Sequence, residues 1–375
     1  MKIALLSSGL GHIKRGIETW TEDLYIALKE REIEVTVYCG ESFEAYSEFN
    51  NVSCLKRTQP FSQWLLKSKL PILWKFGWGG GYMTEQITFV SNILPVLKKE
   101  QYDIIHTQDP FVALKCDEYF KKGFIRSKTI LAHGTEEPFE FLDKISYLQH
   151  LAPYHQQEAK QNGVKNVRSF AVGNFVDTIK FSPDVKTDLR KELGILDDVF
   201  VILSVAAIKC HHKRIDYLID EIYQIKDNNV YLLVAGGRES DTDELIQIAK
   251  EKLGDRAKFL VNFPRERIPE VYASADIFTL CSLKEMMPIA LLEAISSGLP
   301  AIINKYPVEE WMIGDGGDSI DMNKKGELAC TILKYMDNNY LKEKSIKARK
   351  HAVDNFSKNI IVDQIVKMYK EVLGN

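Results

Sequence analysis

Short apolar runs rich in β-branched residues alternate along the chain with longer stretches in which apolar residues recur every three or four positions. The short runs are typical of buried strands, and the longer ones have the period of amphipathic helices. This alternation predicts βαβ units and parallel sheets, and it occurs twice. The predicted strands are 3–7, 35–39, 52–55, 103–107, 129–133 and 167–172 in the first half, and 199–206, 230–235, 258–262, 276–281 and 300–303 in the second.

A chain of 375 residues is long for one hydrophobic core and favours two domains. Residues 173–183 are rich in turn formers and have no clear period, so they predict the domain boundary. We therefore expect one domain over residues 1–175 and another over 176–356. Apolar residues at helical spacing in 360–373 predict a last helix.

Charge and composition narrow the range of partners. Charged residues make up 27% and hydrophobic residues 45% of the chain, and the formal net charge of −3 argues against general nucleic-acid binding. The six scattered cysteines form no Cys-x-x-Cys pair, which predicts reduced, buried thiols in a cytoplasmic protein. The first apolar stretch is too short for a signal peptide, and no run of about 18 apolar residues predicts a membrane span.

Two glutamates eight positions apart, Glu285 and Glu293, flank a turn that opens a helix. Pro288 suits the first helical position, because its φ is fixed and its missing N–H would have no partner inside the helix. The amides of Ile289 and Ala290 would then be free at the positive end of the helix dipole, an arrangement that binds phosphate without a metal. The preceding apolar run ends at the sheet edge where open α/β sheets bind ligands.

This segment resembles the paired-glutamate motif of retaining glycosyltransferases of family four, although the family's Glu-Gly-Phe-Gly turn reads Glu-Met-Met-Pro here. The resemblance covers nearly the whole chain and implies an α/β, GT-B fold of two Rossmann-like, doubly wound domains facing a cleft. It implies an acceptor-side domain over 1–175, completed by the C-terminal helix 357–375, and a nucleotide-sugar donor-binding domain over 176–356. It also places Glu285 near the donor sugar and Glu293 on the ribose hydroxyls.

The first strand leads into a helix through a glycine-containing loop. The spacing of Gly9, Gly11 and Gly16 fits neither a dinucleotide site nor a P-loop. The loop resembles the glycine-rich first loop of GT-B enzymes, in which Gly16 is the best match to a donor-binding position. The alternative is an ordinary strand-to-helix turn, since glycine is the usual residue there.

Lys213 and Arg214 precede a predicted helix in the second half. Cations at a helix start oppose the dipole, so they indicate an anion site. The family grips the donor diphosphate with an arginine and a lysine. Its arginine position is Ala207 here, so the resemblance assigns this role to Lys213, with Arg214 compensating. The alternative is a solvated pair on a helix end. The Cys-His-His run at 210–212 does not indicate a metal site, because adjacent residues rarely converge on one ion.

Further candidates follow predicted strands, where ligands bind in open sheets. His133 resembles the family's histidine that faces the reactive sugar from the first domain. His106 and Asp109 follow another strand of the first half. For each of these histidines the alternative is a buried, hydrogen-bonded polar residue. Gly236 and Gly237 follow the predicted strand 230–235, and Gly237 is a candidate wall of the nucleotide pocket.

Residues 49–84 contain no Asp or Glu but carry several basic residues and three of the five tryptophans. This composition is typical of a peripheral contact with anionic lipid, or with a lipid-linked acceptor, through residues 56–78. Packing of the aromatic residues on the sheet, with the lysines in water, explains it equally. The tryptophans are Trp64, Trp74 and Trp78. The expected location is cytoplasmic, with or without contact to the inner face of the membrane.

The resemblance implies a retaining glycosyltransferase of polysaccharide biosynthesis that moves a sugar from a nucleotide-diphospho-sugar to a glycan, lipid-linked or small-molecule acceptor. Catalysis would rest on Glu285, His133 and Lys213, with no metal and no cofactor. One alternative is a GT-B nucleotide-sugar epimerase or phosphorylase. Another is a catalytically silent sugar-binding subunit, which the residues Ala207 and Pro288 keep open.

Overall fold

The computed structural model describes residues 1–13, 15–43, 46–67, 80–227 and 229–374. The chain separates into two compact units. The first combines Met1–Gly173 with Val362–Asn375, and the second is Asn174–Ile361. Each unit is built on its own parallel sheet.

The first unit contains a seven-stranded sheet. Its strands are β1 (Lys2–Ser7), β2 (Glu34–Cys39), β3 (Asn50–Asn51), β4 (Ile104–Thr107), β5 (Lys128–His133), β6 (Tyr147–His150) and β7 (Arg168–Ala171). They pair in parallel in the order β3-β2-β1-β4-β5-β6-β7, so the order reverses between β1 and β4. Strand β4 is buried throughout, as expected for a central parallel strand covered on both faces.

Helices cover the first sheet. Those described before residue 174 are α1 (Gly16–Glu30), α2 (Pro60–Lys67), α3 (Gly81–Glu100), α4 (Pro110–Lys121), α5 (Phe139–Leu142) and α6 (Pro153–Gln161). Helix α1 places Trp20, Leu24 and Leu28 on one face, and all three are buried. The apolar stripe that predicts this helix is therefore also its packing surface.

The second unit contains a six-stranded sheet. Its strands are β8 (Phe200–Val205), β9 (Val230–Gly236), β10 (Ala257–Val261), β11 (Ile277–Leu280), β12 (Ala301–Asn304) and β13 (Gly317–Ile320). The order β10-β9-β8-β11-β12-β13 reverses between β8 and β11. The helices are α7 (Leu189–Glu192), α8 (Ile215–Gln224), α9 (Thr242–Leu253), α10 (Ile268–Ala273), α11 (Ile289–Ser296), α12 (Pro307–Ile313), α13 (Glu327–Tyr335) and α14 (Asn338–Phe356).

The last helix, α15 (Lys358–Leu373), joins the first unit from Val362 onward. Tyr369 and Val372 are buried there, and the Tyr369 hydroxyl lies 2.7 Å from Nδ1 of His106. Burial lowers the pKa of His106 to about 3, so its imidazole is neutral. For His106 the structure therefore favours the role of a buried, hydrogen-bonded residue of the core.

The strand predictions fail where the paired strands contain polar residues. The predicted strand 52–55 is wrong, because only Asn50–Asn51 pair with β2 at that edge. The sequence does not predict β6 or β13, since polar residues interrupt both runs. Their polar groups are satisfied inside the fold: Gln149 donates to the carbonyl of Val172 at 2.8 Å, and Asp318 accepts hydrogen bonds from Tyr335 and Tyr340 at 2.7 Å each.

All six cysteines are free thiols. Cys39, Cys116 and Cys281 are buried, but the expectation of buried thiols is wrong for Cys330, which is exposed. Cys330 lies on the outer side of α13, whose buried residues Leu328, Ala329 and Ile332 lie on its other side.

Candidate active site

The carboxyl ends of β8 and β11 meet where the order of the second sheet reverses, which is the usual ligand site of an open α/β sheet. The loop after β8 carries Lys213, and the loop after β11 carries Glu285. The Lys213 ammonium donates a hydrogen bond to Oε1 of Glu285. The same oxygen lies 3.6 Å from Nδ1 of His212. The topology thus brings together two residues that the sequence singles out separately.

The turn that positions Lys213 uses unusual backbone conformations. His212 and Arg214 lie in the left-handed region, with φ of 71° and 51°. Residues other than glycine seldom adopt such angles, and they persist only where the surrounding structure enforces them. Here Lys213 N donates to His211 O and Arg214 N to Cys210 O, each at 2.9 Å. Local strain therefore accompanies the placement of Lys213 beside Glu285.

Arg214 has a structural explanation that the sequence does not reveal. Its guanidinium donates to the carbonyl oxygens of Cys281 at 3.4 Å and Met322 at 3.0 Å, and it lies 4.2 Å from the ring centre of Tyr217. These contacts join the loop before α8 to the ends of β11 and β13. They account for a cation at this helix start without an anion, so the argument from the helix dipole applies to Lys213 more than to Arg214.

The turn after Glu285 ends in the helix α11, which begins at Ile289. The prediction that Pro288 is the first helical residue is wrong by one position: Pro288 is the N-cap, with a ψ of 117° that is extended rather than helical. The amides of Ile289 and Ala290 then occupy the first two helical positions, which have no acceptor inside a helix. The side chain of Asn174 holds the turn by donating to Met287 O at 3.1 Å.

Glu293 lies in α11 and is 3% exposed. Its Oε2 accepts a hydrogen bond from the Tyr272 hydroxyl at 2.9 Å, and its Oε1 accepts one from Arg265 at 3.3 Å. Tyr272 also donates to the carbonyl of Ala290 at 3.1 Å, which ties the carboxylate to the first turn of its own helix. The sequence analysis misses Arg265 and Tyr272, because neither belongs to the glutamate motif. A carboxylate has about four lone-pair sites and can accept further hydrogen bonds.

Gly236 is the last residue of β9 and Gly237 follows it, and only at Gly236 is there no room for a side chain. A Cβ on Gly236 would lie 1.7 Å from the carbonyl oxygen of Ala206, whereas one on Gly237 would meet no atom within 4 Å. Gly237 is exposed, and its carbonyl accepts a hydrogen bond from Ile208 N at 3.0 Å. Gly236 thus permits close strand packing, and Gly237 leaves open space beside the carboxyl end of β8.

Glu309 is a buried acid that the sequence analysis misses. It is the third residue of α12, which follows β12, the strand next to β11. Its side chain is 1% exposed. Burial, and then the charge of Glu285, raises its pKa to about 8, while the charge of Lys213 opposes the shift. The only sequence signal is an acidic residue just beyond a strand end, which is too common to single it out.

The first sheet also places polar side chains where its strand order reverses. Asp109, after β4, accepts hydrogen bonds from Ser8 N at 2.6 Å and from the Tyr82 hydroxyl at 2.7 Å. Burial raises the pKa of Asp109. Gly16 begins α1 at this edge, behind the loop whose Gly11 has a φ of 99°. The residues assigned to this loop therefore occupy the ligand-binding edge of the first sheet.

An ion-pair cluster lies behind this loop. Arg57 donates to Glu85 Oε1 at 2.8 Å and lies 3.8 Å from Glu18, while His12 Nε2 is 3.0 Å from Glu85. Burial acts to raise the pKa of Glu85, but hydrogen bonds from His12 and Arg57 outweigh it and lower the pKa. Burial raises the pKa of Glu18 against the opposing charge of Arg15. None of these acids is apparent as a cluster from the sequence, because they come from separate helices.

His133 ends β5 within a group of three histidines. Its ring centre lies 5.5 Å from that of His150 and 6.3 Å from that of His155, and its Nε2 lies 3.4 Å from Glu137 Oε2. Burial, with the charges of His133 and His155, lowers the pKa of His150 to about 3, so that ring is neutral. His133 is 6% exposed. The sequence analysis misses His150 and His155: the first lies opposite His133 through the pairing of β5 with β6, and the second comes from the helix α6 that follows β6.

Two further expectations concern metals and membranes. Within the described ranges, no three His, Cys, Asp or Glu side chains are grouped as metal ligands. Over the same part of the chain, no helix combines the length and the apolar character needed to cross a bilayer. The tryptophan side chains at 64, 74 and 78, and Lys69 and Lys75, lie outside the described residues. Membrane contact through 56–78 therefore stays a prediction.

The chain resembles known proteins in both sequence and fold. Residues 185–352 match the family described as Glycosyl transferases group 1. The chain is 24% identical to the Escherichia coli UDP-Gal:alpha-D-GlcNAc-diphosphoundecaprenol alpha-1,3-galactosyltransferase, over 76% of this chain and 79% of that protein. It is 25% identical to the Bacillus anthracis N-acetyl-alpha-D-glucosaminyl L-malate synthase, over 78% and 81%. Anabaena HepE in complex with UDP-glucose matches with a TM-score of 0.76 and 18% identity, over 99% and 100%.

Residues 185–352 carry the group 1 glycosyltransferase domain, and the two parallel sheets match GT-B structures, which confirms the family and the fold class expected from the sequence. The chain is a glycosyltransferase of a retaining family, an enzyme that transfers a sugar from a nucleotide-sugar donor.

Proposed function

We propose that this enzyme binds the diphosphate of its nucleotide-sugar donor at the carboxyl ends of β8 and β11, without a metal. The observation that carries the proposal is the Lys213–Glu285 pair at the point where the strand order reverses. Beside it, α11 offers the amides of Ile289 and Ala290, and free helical amides attract phosphate. Departure of the diphosphate creates negative charge, which fixed cations and amides stabilise.

Each remaining site residue has a separate part in the proposal. Glu285 holds Lys213 in place and orients the donor sugar. Glu293, fixed by Tyr272 and Arg265, accepts hydrogen bonds from the ribose hydroxyls. Gly237 borders the nucleotide. Transfer passes through an oxocarbenium-like transition state, which a carboxylate close to the sugar favours electrostatically.

In the first unit we assign His133 to the donor sugar or the acceptor, and the Gly16 loop to the donor. The acceptors named for the relatives differ: one is a diphosphoundecaprenol-linked sugar and another is L-malate. The acceptor of this enzyme is therefore proposed only as a hydroxyl compound, glycan, lipid-linked or small. Loops of the first unit, which carry such specificity in enzymes generally, would select it.

A thermal-shift panel of UDP-, GDP- and ADP-sugars tests the donor assignment first. We expect one nucleotide to raise the melting temperature in the presence of EDTA, since no metal is part of the proposal. Glu293→Ala should weaken donor binding above all, while Glu266→Ala, an exposed residue of the short 3₁₀ helix Arg265–Arg267, serves as the matched control. Unchanged donor affinity in Glu293→Ala would remove the ribose assignment. Product analysis without acceptor separates transfer from epimerisation or phosphorolysis.

A further inference from the structure

The carboxyl group of Glu309 has no use in the proposed function, although it lies at the same edge of the second sheet. Its side chain is 1% exposed, and its Oε2 is buried with no hydrogen-bond partner among the described residues. Buried polar atoms nearly always have a partner, so an exception calls for a ligand or a functional role.

The topology places Glu309 at the same edge of the second sheet as Lys213 and Glu285. Strand β12 is the neighbour of β11, and α12 starts at Pro307, three residues after β12 ends. Glu309 is in the first turn of α12, and Glu285 is in the loop after β11. The charges of Glu285 and Lys213 both act on Glu309, so the three groups share one electrostatic neighbourhood.

The surroundings keep the proton on Glu309. Burial and the charges of Glu285 and Glu310 raise its pKa to about 8, against the opposing charge of Lys213. Glu310 itself accepts a hydrogen bond from Ser319 of β13 at 2.8 Å. The raised pKa favours the protonated form of Glu309 at neutral pH, and a protonated carboxyl group offers one O–H donor and further acceptor capacity.

His351 of α14 contacts α12 near Glu309. Its Nε2 lies 3.1 Å from the carbonyl oxygen of Trp311, which is two residues after Glu309 in α12. From α11, Glu293 is held by Tyr272 and Arg265. His351 and Glu293 thus have partners of their own. Glu285 and Lys213 remain as the groups of other elements that act on Glu309.

We propose that Glu309 donates a hydrogen bond from its protonated carboxyl group to a hydroxyl group of the donor sugar. The inference rests on the proposed function, which puts the sugar beside Glu285. A neutral acid matches a hydroxyl group, because both can donate and accept, whereas an ionised Glu309 would repel both Glu285 and the diphosphate. Sites built to bind a substrate hydroxyl group discriminate strongly against analogues that lack it.

Donor binding as a function of pH tests the hydrogen bond. UDP-, GDP- and ADP-glucose are titrated into the full chain. The affinity of the nucleotide sugar that binds most tightly is then measured from pH 6.5 to 9.5. At pH 7, Glu309→Leu should bind it about tenfold or more weakly, since a buried sugar hydroxyl group loses its partner. The wild-type affinity should fall as the pH rises through 8 and Glu309 ionises. Glu309→Gln keeps a neutral donor at every pH and should lack this fall.

Three controls separate this role from a structural one. Glu310→Gln removes a neighbouring carboxylate whose charge contributes least to the raised pKa of Glu309, so it should bind the donor like the wild type at pH 7 and keep the fall in affinity at higher pH. The matching nucleoside diphosphate without sugar should bind equally to the wild type and to Glu309→Leu. In a series of deoxy-sugar donors, one analogue should bind both proteins alike, and its missing hydroxyl group identifies the contact.

The proposal would be overturned if Glu309→Leu folds and binds the donor with wild-type affinity at pH 7. Identical pH profiles for the wild type and Glu309→Gln, or an equal loss of affinity for the bare nucleoside diphosphate, would also overturn it. Failure of the wild-type chain to bind any nucleotide sugar would defeat the proposed function together with this hydrogen bond. Normal donor binding with an unchanged profile would defeat the hydrogen bond alone.

Discussion

Two neighbouring residues of the same charge make different contacts in this enzyme. Lys213 and Arg214 are adjacent cations before one helix, but the first pairs with Glu285 and the second binds the carbonyl oxygens of Cys281 and Met322. Sequence reasoning treats them as a pair, because it cannot see the left-handed turn that sends the two side chains to different partners. Only three-dimensional contacts show that Lys213 pairs with a residue of the candidate site whereas Arg214 holds the loop.

At this scale we predict that Lys213→Ala lowers turnover by two to three powers of ten, because a fixed group that stabilises a leaving anion contributes about 2.7–4 kcal/mol. The fold should remain intact, with an unchanged far-UV circular dichroism spectrum. Lys250→Ala, on the exposed side of α9, is the matched control and should retain wild-type turnover. Normal turnover in Lys213→Ala would contradict the leaving-group role.

Glu309 also predicts a pH dependence of stability. Its pKa is raised from the ordinary 4.5 to about 8, so between these values the folded chain binds a proton that the unfolded chain has lost. The free energy of unfolding should therefore fall as pH rises across this window, by up to about 1.4 kcal/mol per pH unit from this group. Glu309→Gln has no ionisable group at this position and lacks this pH dependence. The free energy of unfolding of the variant minus that of the wild type should therefore increase from pH 5 to 8.

Urea unfolding of both proteins at pH 5, 6.5 and 8 measures this difference. Glu310→Gln controls for the loss of a carboxylate from the same helix. A constant difference between wild type and Glu309→Gln over the three pH values would show that Glu309 ionises normally in the folded chain.

At the scale of elements, the site is built from the connections between strands and helices. The end of β9 shows how strict such a connection is, because a Cβ on Gly236 would overlap the carbonyl oxygen of Ala206, an atom of the neighbouring loop backbone. We predict that Gly236→Ala destabilises the fold by about 1–3 kcal/mol, the usual cost of overpacking. Gly237→Ala, with open space around its Cβ, is the control and should be near neutral. Equal melting temperatures of the two variants would contradict this prediction.

The sequence predicts the elements whose apolar composition indicates that they are buried. Strands β8 and β11 are apolar except for Ser204 and Thr279, since helices cover both faces of a parallel sheet. Strands β6 and β13 escape prediction because Gln149 and Asp318 find hydrogen-bond partners that are distant in sequence. The start of α11 is displaced by one residue because proline fits the N-cap and the first helical position equally well in φ.

For the whole molecule, two repeated strand and helix patterns are enough to predict two sheets, and a motif is enough to predict the family. Clusters such as Glu18, Arg57 and Glu85 or the three histidines around His133 are beyond reach, since they join residues through tertiary packing and not through spacing. Glu309 is missed for a related reason: what sets it apart is the lack of a partner, and no sequence pattern encodes that.

The first unit consists of two separate chain segments. We predict that residues 1–173 alone do not fold stably, because they lack Tyr369 and the other buried residues of α15 that cover His106 and its surroundings. Joining residues 358–374 to this fragment through a Gly-Ser linker should restore a cooperative thermal transition. The fragment 174–361 is the control and should fold by itself. A cooperative transition for 1–173 alone would contradict the prediction.

This divided first unit has a consequence for how the enzyme is made. During translation, 188 residues, 174–361, are synthesised before the closing helix appears. At about 5–20 residues per second this takes roughly 10–40 s. During that interval we expect the apolar residues that α15 covers to stay exposed in the nascent first unit, so the second unit, although translated later, should finish folding first.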